Sequence, residues 1–336
     1  MQMLARGYLV YELTNQNAAV LGLVNAATAL PILVLALFGG AIADRMERKR
    51  IVQLGQSGAA ILALFIAISI SLGYITWWHL LVTSVVHGSL MAMLMPARQS
   101  MIPQLVGKEM LGNAMALNAA GMSMSTMLAP AVAGGLYALI GPAGVYYVLC
   151  GMLVVSLLLT GLLPKSSNEA SAIKTSVLAD ITAGLSYIRR TRMVMVLLLL
   201  GLATTMLAMP FRFLMPVFVV DVYHKGPEAM GLLVSLMGLG TLVGSLFIAG
   251  LGKNLRGLLL ITLTFITGAA LLLVSIFPIY TLALGLMLLL GLGDAGRRAL
   301  NQALVMEVSD DEYRGRVWSV FMMNFGLMPL GVLPAA

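Results

Sequence analysis

From Ala18 onward the chain is a succession of apolar runs, each about as long as the 20 residues a helix needs to cross the hydrocarbon of a bilayer. Lipid offers no partners to backbone amides and carbonyls, so only helices and closed barrels can cross it. A barrel strand needs about half that length and alternates apolar with polar residues. These runs do neither, so the fold class is an all-α polytopic membrane protein. Spans are expected at Ala18–Ala43, Ile51–Leu72, Trp77–Ala97, Leu111–Leu139, Pro142–Leu163, Met193–Val220, Ala229–Leu251, Gly257–Ile276 and Pro278–Ala299, and a last one from near Val317 to Ala336. Met1–Val10 is too short and contains Arg6, so it reads as the outer end of a span 1 whose start is missing. With 10% charged residues, against about 25% in a globular chain, the protein is solvated mainly by lipid.

The loops fix the orientation. Six charges fall within the seven residues Asp44–Arg50, between spans 2 and 3. If that loop is cytoplasmic and sides alternate from there, the inside loops and their flanks hold 17 of the 20 basic residues. They are Arg45, Arg48, Lys49, Arg50, Arg98, Lys108, Lys165, Lys174, Arg189, Arg190, Arg192, Lys253, Arg256, Arg297, Arg298, Arg314 and Arg316. Outside loops hold only Lys225, while Arg6 and Arg212 lie within spans. Basic residues stay on the cytoplasmic side, so Tyr74–Trp78 is expected outside. The same rule accounts for the net charge of +7, and no nucleic-acid partner is expected.

The chain also repeats itself. Gly22–Phe38 aligns without a gap on Gly231–Phe247, with matches at Leu30/Leu239, Val34/Val243 and Phe38/Phe247. Arg6 and Arg212 fall at the same depth of spans 1 and 7, and Glu109-x-x-Gly112 is echoed by Glu312-x-x-Gly315. Together with the hydropathy order, these support two parallel, pseudo-symmetric six-helix halves. The expected domains are an N-terminal bundle at 1–163, a cytoplasmic linker at 164–192 and a C-terminal bundle at 193–336. Within the linker, Val177, Ile181, Leu185 and Ile188 recur at helical spacing, as in an amphipathic helix lying on the membrane. Two such halves need twelve spans. The chain has about ten complete ones, a partial span 1, a span 11 and no span 12, and so reads as part of a longer protein.

Several motifs together carry a resemblance. Gly40-x-x-x-Asp44-Arg45-x-x-Arg48-Lys49 between spans 2 and 3 resembles the signature loop of the major facilitator superfamily. Ser125-x-x-x-Ala129-Pro130-x-x-Ala133-Gly134-Gly135 on span 5 resembles that family's antiporter motif, with small residues replacing glycines. Ala5–Thr14 and Val308–Ser319 resemble the bacterial branch containing enterobactin-type siderophore exporters and macrolide-efflux-like proteins. The resemblance covers essentially the whole chain. It implies a secondary active transporter in the bacterial cytoplasmic membrane, probing each side in turn by alternating access. It also implies proton-coupled export of a small amphipathic molecule, a drug or a siderophore. Gly40, Asp44, Arg45, Arg48 and Lys49 would form a cytoplasmic latch, with Asp44 facing the N-terminus of helix 11. The acidic partner usual at the cytoplasmic end of helix 4 is missing from Met93–Arg98, which leaves the usual charge relay without its second carboxylate.

The residues themselves nominate cavity and coupling candidates. Arg6 and Arg212 lie within the outer third of their spans, where an ionisable side chain must face protein or a watery cavity. Alternatively they reach outward, Arg6 to Glu12 and Arg212 to Asp221. Asn25, His87 and Asn118 are polar residues inside spans 2, 4 and 5, and histidine takes a proton near neutral pH. Each fits equally as a hydrogen-bonded packing residue. Asp294, one turn before Arg297 and Arg298, reads as a cytoplasmic ion pair.

Other functions lack their residues. There is no Gly-x-Ser-x-Gly, no His-Glu-x-x-His and no phosphate-cradling Gly-x-x-x-x-Gly-Lys, so neither an enzyme nor an ATP-driven pump is expected. One cysteine, Cys150, has no metal-ligand spacing, so no metal and no cofactor are expected and a proton gradient supplies the energy. The expected partners are a small-molecule substrate and the bilayer, with the protein a monomer. The rival readings are an importer of a small metabolite with the same fold, and a non-transporting membrane scaffold or sensor.

Overall fold

A computed structural model describes residues 1–43, 47–106, 110–164, 186–249 and 255–310, together with Tyr313, Val317, Val320 and Phe321. The described residues form α1 (Gln2–Leu13), α2 (Ala18–Ala43), α3 (Arg48–Ser71), α4 (Trp77–Leu105) and α5 (Leu111–Gly161) in the first half. The second half holds α6 (Arg192–Phe213), α7 (Pro227–Ala249), α8 (Arg256–Ile276) and α9 (Tyr280–Val308). Among the described residues six helices are long and apolar enough to cross a membrane. Most of the linker helix, the greater part of span 11, and Asp44 and Arg45 lie outside the described residues.

Helix ends follow local chemistry. Gly141 has φ +70, a conformation that a side chain disfavours, and it breaks α5 into the two limbs expected as spans 5 and 6. Span 7 was expected to run unbroken to Val220, yet α6 stops at Phe213 and is followed by a turn at Met215–Val217 and a π-helical turn at Phe218–Val222. The cause is Pro216, which has no N–H to give the carbonyl of Arg212 four residues earlier. Span 10 was expected to end at Ala299, but α9 continues to Val308. That extension moves Asp294 from the membrane edge to the middle of a helix.

Packing repeats between the halves. α2 meets α4 where Gly88 lies against the carbonyl of Thr28, and α7 meets α9 where Gly291 lies against the carbonyl of Met237. Span 2 against span 4 is thus matched by span 8 against span 10, as the internal repeat requires. The halves meet along α5 and α7. A Cβ on Gly134 would lie 2.5 Å from the Pro227 carbonyl oxygen, and one on Gly231 would lie 2.6 Å from the Pro130 carbonyl oxygen. Such close backbone approach is what small residues permit between membrane helices.

The apolar core is continuous at one end only. Tyr8, Leu21, Val145, Met215, Leu233 and Met287 belong to a single buried cluster that spans both halves. At the end carrying the basic loops the clusters separate. Ile51, Val52, Ala97 and Met101 pack in the first half, and Val194, Leu198, Leu260 and Leu300 in the second. Among the described residues, therefore, the halves share one core at the outer end and keep separate clusters at the basic end.

The 24 residues of α3 rise about 36 Å at 1.5 Å each, so its two ends lie on opposite faces of a bilayer. In a Cys150→Ser background, cysteines at Lys49 and Thr76 should react with an impermeant thiol reagent from opposite sides. Reaction of both from one side would refute the orientation.

Candidate functional site

The cleft between the halves is assembled from residues of α1, α2, α5, α6 and α7. It is lined by Asn25, Ser125, Thr126, Ala129, Pro130, Arg212 and Pro216, among others. Ser125 and Thr126 also line a wider recess with Arg98, Asn118 and Met122, so the two spaces share a wall. Arg98 is the 22nd residue of α4, about 32 Å from its outer end, so the recess is the cleft's mouth on the basic side.

Each lining residue is held by a local feature. Arg212 stands at the break that Pro216 imposes on α6, and its half-buried guanidinium has no hydrogen-bond or ion-pair partner among the described residues. Asn25 is 5% exposed on α2 and its amide likewise has none. The Thr126 hydroxyl donates to the Met122 carbonyl at 2.9 Å, which leaves its oxygen free to accept. Asn118 makes only a 3.8 Å contact with the Met122 sulfur. Ala129 and Pro130 line the cleft, whereas Ala133 and Gly134 are buried against α7. The antiporter-like segment thus has one wall in the cleft and the other in the seam between the halves.

Arg6 departs from its sequence partner. Its guanidinium donates to the Ser84 hydroxyl at 3.0 Å on α4, 6% exposed, and does not reach Glu12. Ser84 in turn donates to the Leu80 carbonyl at 2.6 Å. His87, one turn further along α4, lies within electrostatic reach of Arg6, and its Nδ1 is buried without a hydrogen bond. The Tyr146 hydroxyl and Arg6 Nε are also buried and unpartnered, so Arg6, His87 and Tyr146 form one under-satisfied polar cluster in the first half. Glu12 and Asp221 are taken by tyrosines. The Tyr137 hydroxyl donates to Glu12 at 2.6 Å, and the Tyr11 hydroxyl donates to Asp221, tying the halves together at their outer ends. Neither tyrosine stood out in the sequence. Their carboxylate partners lie 210 and 125 positions away, so no local spacing could have signalled either pair.

The largest correction concerns Asp294. The expected cytoplasmic pair is instead a buried cluster, with Asp294 4% and Arg297 3% exposed. Asp294 accepts from Arg297 at 2.8 Å and lies 2.6 Å from the Arg298 guanidinium. Arg297 also donates to the Thr204 hydroxyl on α6. With α9 starting at Tyr280, Asp294 is about 21 Å below the outer end, well inside a hydrocarbon layer about 30 Å thick. Arg297 and Arg298 therefore leave the tally of loop charges, which remains strongly one-sided without them.

The signature loop is only partly described. Lys49 donates to the carbonyls of Gly161 at 2.8 Å and Leu163 at 2.5 Å, capping the C-terminal end of α5 within its own half. Glu47 pairs with Arg50 at 3.0 Å. Gly40 lies within α2, and Arg48 opens α3.

Comparison with known proteins agrees with this architecture. The chain is 25% identical over 324 residues to the Staphyloferrin A transporter of Staphylococcus aureus (strain NCTC 8325 / PS 47), covering 95% of this chain and 81% of that protein. It is 24% identical over 347 residues to Macrolide efflux protein A of Streptococcus pyogenes, covering 98% of this chain and 83% of that protein. A solved mutant of the nucleoside transporter NupG superposes with a TM-score of 0.76 at 14% identity, over 99% of this chain and 86% of that one. The sequence model of the Major Facilitator Superfamily matches residues 3–331, and with two helical halves meeting at a central cleft, this membrane protein belongs to that superfamily of transporters.

Proposed function

We propose that the protein is a proton-driven exporter of a small amphipathic molecule, a drug or siderophore, working by alternating access in the bacterial cytoplasmic membrane. The observation that carries this reading is the asymmetry of the core: one apolar cluster seals both halves on the outer side, while the cleft widens toward the basic loops. A substrate enters from the cytoplasm in this state, and export follows when the outer seal parts and the basic side closes. The name of one relative, Macrolide efflux protein A, supports the same direction. The protein works as a monomer with no bound cofactor, and a proton flowing inward supplies the energy.

His87 carries the proton in this reading. It is a titratable side chain at membrane depth whose buried Nδ1 has no hydrogen-bond partner, and it sits beside the Arg6 cluster beneath the outer seal. Asp294 is the competing site at membrane depth. In vesicles with an imposed pH gradient, His87→Gln should flatten the pH profile of efflux while substrate still binds. An unchanged profile would move the proton site away from His87, and efflux without any response to the gradient would remove proton coupling altogether.

A further inference from the structure

We infer that the cleft selects an anionic substrate, one bearing a carboxylate or comparable acidic group, and rejects cations. The inference rests on the export reading for the identity of the cleft but not for the direction of transport. It begins with charge. The chain has 13 carboxylates, and among the described residues Asp294 is the one carried in the middle of a span. Asp294 is held between Arg297 and Arg298 and lines a separate pocket inside the second half. At the outer end Glu12 is taken by Tyr137 and Asp221 by Tyr11. No carboxylate stands among the described residues that line the cleft or its mouth.

The positive charge is placed differently. Arg212 lines the cleft and Arg98 its mouth. Arg212 has no hydrogen-bond acceptor among the described residues, although a guanidinium brings five donors, and Asp294 and Arg298 both lie within its electrostatic reach. A recessed guanidinium without hydrogen-bond partners is costly unless a ligand or water completes it. Its repeat-related counterpart Arg6 donates to Ser84 and is buried beneath the outer seal, outside the lining of the cleft. Asn25 in the same cleft adds an amide without a protein partner, and Ser125 adds a hydroxyl, while the Thr126 proton is already given to the Met122 carbonyl. Arg212, Asn25 and Ser125 thus offer an anion one charge-assisted hydrogen bond and two neutral donors within a low-dielectric cleft. A protonated amine meets the same field as repulsion. The apolar remainder, including Met230, Val234 and Phe213, accommodates the substrate's hydrocarbon.

Two xanthene dyes of similar size and opposite charge test this: carboxyfluorescein as the anion and rhodamine 6G as the cation. Fluorescence anisotropy with the protein in nanodiscs, referenced to empty discs, reads both affinities. Carboxyfluorescein should bind the tighter of the two. Arg212→Gln should weaken it roughly tenfold or more, whereas Arg212→Lys should retain most of the affinity. Asn25→Asp, which leaves Arg212 in place but adds a carboxylate beside it, should shift preference toward rhodamine 6G even if Arg212→Gln does not fold. Unfolding midpoints of the variants separate lost binding from lost structure. Equal or tighter binding of rhodamine 6G by the unaltered protein, no binding of carboxyfluorescein above empty discs, or an unmoved affinity in folded Arg212→Gln would each overturn the inference. Accumulation of the anionic dye against the export direction would refute the exporter reading alone. Efflux that ignores dye charge would refute the anion preference alone.

Discussion

Asp294→Leu is expected to destabilise the protein by about 3–5 kcal/mol, as seen when one partner of a buried ion pair is removed and the other is left uncompensated. Arg297 is 3% exposed and would keep only the Thr204 hydroxyl, and Arg298 would lose its contact at 2.6 Å. The measurement is the unfolding midpoint of detergent-purified protein. The double variant Asp294→Leu, Arg297→Leu should recover much of the loss, because it removes the stranded charge along with its partner. A single variant that unfolds with the parent protein would show that water reaches the cluster, and its role as the internal fastening of α9 to α6 would fall.

The second large effect is placed in the seam between the halves. Gly134→Val puts a side chain where a Cβ alone would lie 2.5 Å from the Pro227 carbonyl oxygen and 2.9 Å from the Gly231 Cα. Both are backbone atoms and cannot turn aside, so α5 and α7 must separate. Overpacking of this kind costs about 1–3 kcal/mol, and here the strain falls on the surface along which the halves rock. Transport should drop at least about tenfold, since 1.4 kcal/mol is already a factor of ten, while insertion persists. Gly135→Val is the control, because a Cβ there meets nothing within 4 Å. Equal transport in the two variants would remove the seam from the mechanism.

Much of this was legible in the chain. Alternation of apolar runs with basic loops gives the helices and their direction, because burial of the backbone in lipid is a property of each segment separately. The helix break at Gly141 lay between Leu139 and Pro142, where the run was expected to divide. Small residues and proline on α5 marked a helix that packs closely or bends, and it is the helix whose Gly134 meets α7. Two neighbouring glycines show the limit. Gly134 and Gly135 look alike in sequence, yet only the first faces the other half.

Misplaced features share a cause. Asp294 was assigned to the membrane edge because two arginines follow it, and a linear reading gives such a run to a loop. A buried ion pair with a threonine from another helix satisfies the same charges at membrane depth, and Thr204 lies 93 positions away from Arg297. Arg6 and Arg212 occupy equivalent places in the repeat but have opposite fates. Ser84 waits for one, and the break at Pro216 turns the other toward the cleft. Tyr11 and Asp221, which close the outer side, are 210 positions apart. The sequence by itself determined the helices, the repeat and the family, because those depend on hydropathy and spacing along one chain. Only the tertiary structure decided which polar side chains were spent on each other and which were left facing the cleft, because partnership inside a bilayer is settled by helices that meet in space.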